Sequence, residues 1–243
     1  MSTFDTLEDE EFERDWKTMA GVVALVVCSN VMSNRVLPSW LYVLWNAGVA
    51  VVLVVIALRV DRLSLSDVGL GRSQLRLGLR WGGTLAACVA VVYAVGLAVP
   101  TTRELFRDKR ADGTGWDTLY MAFVSVPFGT VLLEEVAFRG VLPAVFAHRM
   151  SRRAAIACSS VLFGLWHLLP AANINRTNAV LNESLSGTSG QVIAIAGAVL
   201  STAAVGVFFC WLRYRSNSLL TPILLHISTN SLAYVGAHFV LRP

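Results

Sequence analysis

Charge is scarce in this chain. Of its 243 residues only 15% are Asp, Glu, Lys or Arg, where an ordinary soluble domain has about 25%. A chain of this size with so little charge cannot cover its own surface in water. Disorder is excluded as well, because disordered segments combine low hydrophobicity with high net charge, and here apolar residues make up 55% and the mean hydropathy is +0.61. Cysteine is also sparse. Cys28, Cys88, Cys158 and Cys210 lie far apart in apolar runs and no CxxC occurs, which argues against a disulfide scaffold, a zinc ribbon or a thioredoxin-type site. No HExxH, internal repeat or low-complexity linker is present. The N-terminus lacks the basic start of a signal peptide and instead carries Glu8, Asp9, Glu10, Glu11, Glu13 and Asp15. Residues 1–17 therefore read as an acidic, solvated cytoplasmic tail.

Apolar runs are abundant. Charge-free stretches cover 18–34, 36–58, 81–102, 154–175, 184–212 and 216–241. A helix needs about 20 apolar residues to cross a bilayer core; five of the six reach that length and the first falls just short. A further stretch, 116–148, is apolar apart from its ends and Asp117, Glu134, Glu135 and Arg139. The expected fold is an all-α polytopic transmembrane bundle of seven spans, or eight if Pro127 breaks the long stretch in two. Residues 18–114 carry no motif, and 115–243 carry all of those described below. Gly78-Leu-Arg-Trp-Gly82 matches the GxxxG helix-packing pattern weakly, with one glycine at the membrane edge. The stretch 63–79 reads either as a surface amphipathic segment or as a loop leading into the next span.

A formal net charge of +4 and a pI near 9.1 would suit nucleic acid, but the distribution of charge does not. The cations sit in short loops between the apolar runs, where they set membrane orientation. Twelve fall on one face (Arg14, Lys17, Arg59, Arg62, Arg72, Arg76, Arg80, Arg149, Arg152, Arg153, Arg213, Arg215) and seven on the other (Arg35, Arg103, Arg107, Lys109, Arg110, Arg176, Arg242), with Arg139 inside a span. The richer face is expected in the cytoplasm, with the N-terminus inside and the C-terminus outside. Two sequons, at Asn175 and Asn182, fall in a loop expected outside. The partners expected are membrane lipid and a peptide or protein substrate in or near the membrane, and no nucleic acid. Trp40, Trp81, Trp116 and Tyr120 read as interfacial anchors, and His148 and His238 as interfacial residues near span ends.

Ionisable groups within a span cost at least ~2.5–3.5 kcal/mol each, so by default they mark function. Three places interrupt the apolar pattern. In Leu132-Leu-Glu134-Glu135-Val-Ala-Phe-Arg139, Glu135 and Arg139 have the favourable i,i+4 order of a helical ion pair. Glu134 points about 100° away and has no cation beside it on its own helix, as befits a general base; the alternative is that both acids clamp Arg139 structurally. Phe163 and His167 share one helical face, as do His226 and Asn230. Taken singly, each pair reads as well or better as packing glue. At ~1.5 Å rise per residue, however, Glu134 lies ~21 Å, His167 ~20 Å, His226 ~14 Å and Asn230 ~20 Å from the same membrane face. Four polar groups on three helices at nearly one depth point to a single site.

These residues resemble the CAAX-protease and bacteriocin-processing family (CPBP, also called Abi), whose eukaryotic members are the type II CAAX prenyl endopeptidases. The family pattern EExxxR, FxxxH, HxxxN on successive membrane segments is matched by Glu134-Glu135-xxx-Arg139, Phe163-xxx-His167 and His226-xxx-Asn230, and the resemblance covers roughly 115–240. It implies an intramembrane endopeptidase of metalloprotease-like appearance. Glu134 would activate water, His167 and His226 would orient it or bind a metal, and Asn230 would stabilise the tetrahedral oxyanion. Glu135, Arg139 and Phe163 would be supporting residues. The family target in eukaryotes is a prenylated CAAX terminus, which does not fix the substrate here.

Glu134, His167 and His226 are the only candidate ligands for a divalent metal such as zinc, in a His₂Glu arrangement with water in the fourth position. Glu134 does not easily serve as both ligand and base, so a metal-free, glutamate-activated water with a His/Asn oxyanion site is preferred. Two other classes fit the pattern less well. One is a catalytically silent binding or immunity protein of the same fold. The other is a proton-coupled transporter, which would be expected to show inverted repeats.

Overall fold

The computed structural model describes residues 3–108, 111–171 and 187–242. The two sequons and the cations Lys109, Arg110 and Arg176 lie outside these. No strand occurs among the described residues, and seven long helices carry the architecture: α1 (Thr3–Val31), α2 (Tyr42–Arg59), α3 (Arg72–Ala98), α4 (Gly115–Phe146), α5 (Arg152–Trp166, extended by a turn over Leu168–Ala171), α6 (Gly187–Arg215) and α7 (Leu220–Leu241). The all-α polytopic expectation holds. Six of the helices, α1 to α6, are long and apolar enough to cross a membrane. The expected count of seven is met in helices but not in apolar spans. The 22 residues of α7 include His226, Ser228, Thr229, Asn230, Ser231 and His238, the price of carrying part of a polar site.

The first helix starts at Thr3, so the acidic stretch is helical and runs unbroken into the candidate span Asp15–Val36. Asp15 is buried and pairs with Arg149 at 3.0 Å, and His148 lies 3.6 Å from Asp61. These contacts join the first half of α1 to the ends of α2 and α4 at one face of the bundle. At the opposite face Thr118 Oγ1 and His238 Nδ1 are 3.0 Å apart. The stretch 63–79 divides: loop up to Gly71, then α3. In the loop, Asp67 accepts from the Ser64 N–H and Oγ, each at 2.7 Å, and these bonds hold its carboxyl below the usual range. Arg213 donates to the Asp67 carbonyl, and the Gly69 carbonyl accepts from Leu219 N–H at 2.9 Å, which fixes where α7 begins.

The glycine pair at 78 and 82 proves to be a true packing face. A Cβ at Gly78 would come within 2.8 Å of Leu220 Cβ, and one at Gly82 within 2.9 Å of Leu224 Cβ, so only glycine lets α3 and α7 lie this close.

Pro127 does not split α4. The helix is continuous over 32 residues but passes through two π-helical stretches, Met121–Val131 and Val136–Val141, where backbone bonds run i→i+5. In that register a proline at i+5 leaves one carbonyl without its donor. Pro127 leaves Ala122, whose carbonyl accepts from Ser231 Oγ on α7 at 2.6 Å. Pro143 leaves Phe138, whose carbonyl accepts from Ser159 Oγ on α5 at 2.7 Å. Asn46 on α2 donates to the Gly129 carbonyl at 2.7 Å. Two hydroxyls thus satisfy the carbonyls that the prolines free, as they must where no water is available, and the Asn46 amide adds a tie from α2. They also pin α4 at the centre of the bundle, and its residues 131–146 are almost wholly buried.

Candidate active site

The chemistry-bearing helix is α4. Glu134 and Glu135 are 5% and 0% exposed and Arg139 is 0% exposed. Arg139 and Glu135 form the expected i,i+4 pair, with 3.4 Å between Nη1 and Oε1. The guanidinium stacks on the Phe163 ring at 3.8 Å from its centroid, with the Phe209 ring at 5.1 Å. In a dry setting an aromatic face is a partner for the cation beyond its single carboxylate. Phe163 therefore acts as the floor under Arg139, and its edge-on contact with His167, at 4.7 Å between ring centroids, connects the second motif to the first.

Glu135 does more than balance Arg139. Its Oε1 lies 2.7 Å from His226 Nδ1, and since a carboxylate accepts, Nδ1 carries the proton and Nε2 faces the cavity. Glu134 sits across from it, with Oε2 at 3.9 Å from His226 Nε2. Its other oxygen accepts from Trp166 Nε1–H at 3.0 Å. His167 follows α5 directly, and its Nδ1–H donates to the Phe163 carbonyl at 2.8 Å, which leaves its Nε2 toward the cavity. Asn230 stands one turn beyond His226 on α7, at the same cavity. Glu134, His167, His226 and Asn230 all line one space of about 670 Å³, a volume in the range of ligand pockets. The four residues expected at one depth are brought together.

Several members of the site were not foreseen. Trp166 is apolar enough to pass for packing. Ser33 and Asn34, from the π-helical turn Met32–Val36 after α1, and Tyr42 and Asn46 from α2 form the facing wall, although the N-terminal half carries no motif. Their signal was present as polar residues in an otherwise apolar stretch, Asn46 above all. These side chains are held firmly: Ser33 Oγ donates to Asn46 Oδ1 at 2.7 Å, Tyr42 and Thr130 hydroxyls lie 3.0 Å apart, and Asn30 donates to the Trp166 carbonyl at 2.9 Å. His148 and His238 lie near helix ends, away from the cavity.

A zinc tripod needs three ligand atoms converging on one point about 2.0–2.2 Å from each. Among the described residues, the one group whose ligand atoms all approach within 4.8 Å is Asp15, Asp61 and His148 at the face of the bundle, not Glu134, His167 and His226. The latter three do not form a ready-made tripod in this arrangement.

A helical membrane bundle with a Glu-His-Asn cavity beside a helix that is partly π-helical defines the class: a polytopic membrane protein with a polar cavity among its helices. Within it, residues 116–232 match the family model for the Rce1-like type II CAAX prenyl endopeptidases. The match spans α4 to the middle of α7. No curated protein and no solved structure matches the chain.

Proposed function

We propose that this chain is an intramembrane endopeptidase in which Glu134 activates the water that attacks the scissile carbonyl. The observation that carries the reading is the facing pair Glu134 Oε2 and His226 Nε2, 3.9 Å apart in one cavity with Asn230 and His167. That gap suits one water bonded to both. Glu134 takes a proton from the water as its oxygen bonds to the carbonyl carbon. The negative charge that develops on the carbonyl oxygen meets the Asn230 amide and the His226 imidazolium, donors of the kind worth ~2.7–4 kcal/mol each in a dry site. Collapse breaks the C–N bond, and the proton on Glu134 passes to the departing amine. Glu135 holds His226 by its Nδ1–H and offsets the positive charge on it, as the carboxylate does in hydrolytic triads, while Arg139 and Phe163 hold Glu135. His167 orients the water from the α5 side.

The ligand geometry supports the metal-free form of this mechanism. The test is a comparison of new protein N-termini in cells carrying the wild type or Glu134→Gln. A set of termini that disappears with the variant, at equal protein level, supports the proposal; identical sets refute it.

A further inference from the structure

Helix α3 has two opposite faces. Gln74, Gly78 and Gly82 recur every four residues and are buried. They carry the helix onto the start of α7, where Gln74 Nε2 donates to Asn217 Oδ1 at 3.1 Å and the glycines admit Leu220 and Leu224. Arg72, Arg76 and Arg80 keep the same interval two residues earlier. Two residues turn a helix by about 200°, so these arginines stand on the outward face, and all three are exposed. The protein gives their charge no partner: among the described residues none of the three enters an ion pair. No Asp or Glu occurs over 68–103 or 184–243, the stretches that include α3, α6 and α7. Arg215, at the end of α6, is exposed too, and its guanidinium lies 5.5 Å from the centroid of the Trp81 ring. It brings a fourth cation to the same end of α3.

The depth of these arginines decides what they face. The uncharged part of α3, 81–98, is ~27 Å long at ~1.5 Å per residue, close to the ~30 Å of a bilayer's hydrocarbon. Arg80 then stands at the edge of the hydrocarbon, with Arg76 ~6 Å and Arg72 ~12 Å further out. The headgroup layer is ~5–8 Å deep on each side, and the long stem of an arginine lets its head reach along it. Leu75, Leu77 and Leu79, between the arginines, are exposed as well. Outward leucines beside outward arginines suit the boundary of acyl chains and phosphates better than open water or the surface of a soluble acidic partner. We propose that Arg72, Arg76, Arg80 and Arg215 form a binding stripe for anionic phospholipid, each guanidinium fork taking phosphate oxygens. A lipid without an ammonium of its own is favoured, because nothing else at this end of α3 neutralises the four cations. The stripe is separate from the chemistry at Glu134 and does not depend on it.

The experiment is native mass spectrometry of the full chain released from detergent micelles, with phosphatidylglycerol or phosphatidylcholine added in turn. The wild type should hold phosphatidylglycerol at least about fivefold more tightly than phosphatidylcholine, which is what one arginine near the membrane surface contributes. Arg72→Gln/Arg76→Gln/Arg80→Gln should bring that ratio close to one, and Arg72→Lys/Arg76→Lys/Arg80→Lys should keep most of it. Arg62→Gln/Arg152→Gln/Arg153→Gln removes the same charge from exposed arginines off the stripe and should leave the ratio nearly unchanged. Melting in lipid-free detergent should be the same for the glutamine stripe variant and the wild type, so that a lost ratio is a lost site and not a lost fold. Equal binding of the two lipids by the wild type overturns the proposal and leaves the stripe to an acidic protein partner. A ratio that survives in the glutamine stripe variant, or falls as far in the off-stripe variant, overturns it as well.

Discussion

Removing the charge on Glu135 should cost both stability and turnover, and the two losses can be separated. Glu135 and Arg139 are each 0% exposed, so Glu135→Gln strands a guanidinium with only the Phe163 and Phe209 rings beside it. Breaking a buried pair by deleting one partner costs ~3–5 kcal/mol, a large share of the ~5–15 kcal/mol that holds a domain together. Glu135→Gln/Arg139→Met replaces the pair by neutral groups of similar size and should recover most of that loss. It should not recover activity, because the 2.7 Å bond that holds His226 no longer ends on a carboxylate. In hydrolytic triads the corresponding amide substitution lowers kcat by ~10⁴. The assay is thermal unfolding of detergent-purified protein beside single-turnover cleavage at matched folded fraction. A double variant that is stable and fully active would refute the role given to Glu135; a single variant as stable as the wild type would refute the buried pair.

Trp166→Phe removes the indole N–H from Glu134 and should lower stability by ~1.5–3 kcal/mol, the worth of a hydrogen bond to a charged group, read by the same melt. Ser231→Ala strands the Ala122 carbonyl opposite Pro127 and should cost ~1–3 kcal/mol, whereas Ser159→Ala should cost less because Cys210 Sγ also donates to the Phe138 carbonyl at 3.6 Å; Pro127→Ala restores the missing N–H, so Ser231→Ala should cost much less in that background. Gly82→Val should push α3 from α7 and cost ~1–3 kcal/mol from overpacking, seen as a lower melting temperature. The Asp67 carboxyl is held low by Ser64; its contribution is present at and above the usual carboxylate range and is lost as pH falls beneath it, so Asp67→Asn should flatten the acid limb of the stability profile. Elemental analysis of wild type, His226→Ala and Asn230→Ala tests the metal-free form: far less than one zinc per chain is expected in all three, and stoichiometric zinc that vanishes only in His226→Ala contradicts it.

Much of this could be read from the sequence, and the remainder has physical reasons. Runs of apolar residues report helices well because a bilayer crossing leaves few alternatives, so α2 to α6 fall close to their expected places. The start of α1 escaped because hydropathy cannot see a helix whose first turns are acidic. Pro127 reads as a break because proline is costly in an α-helix; the sequence does not show that α4 runs π-helical there, with Ser231 supplying the missing donor from 104 residues further on. Within the site, i,i+4 spacing exposes the Glu135–Arg139 pair, and rise per residue places Glu134, His167, His226 and Asn230 at one depth. The bond from Glu135 to His226, 91 residues apart, has no local signature. The wall of Tyr42 and Asn46 belongs to helices without a motif, where a lone amide reads as packing.

Whether Glu134 moves the proton is decided by single-turnover cleavage by purified Glu134→Gln beside wild type, on a substrate identified from the lost N-termini. The amide is isosteric and keeps the cavity but cannot act as the base. The expected result is a fall of ~10²–10⁴-fold or more with the melting temperature little changed. Cleavage at the wild-type rate by folded Glu134→Gln would contradict it.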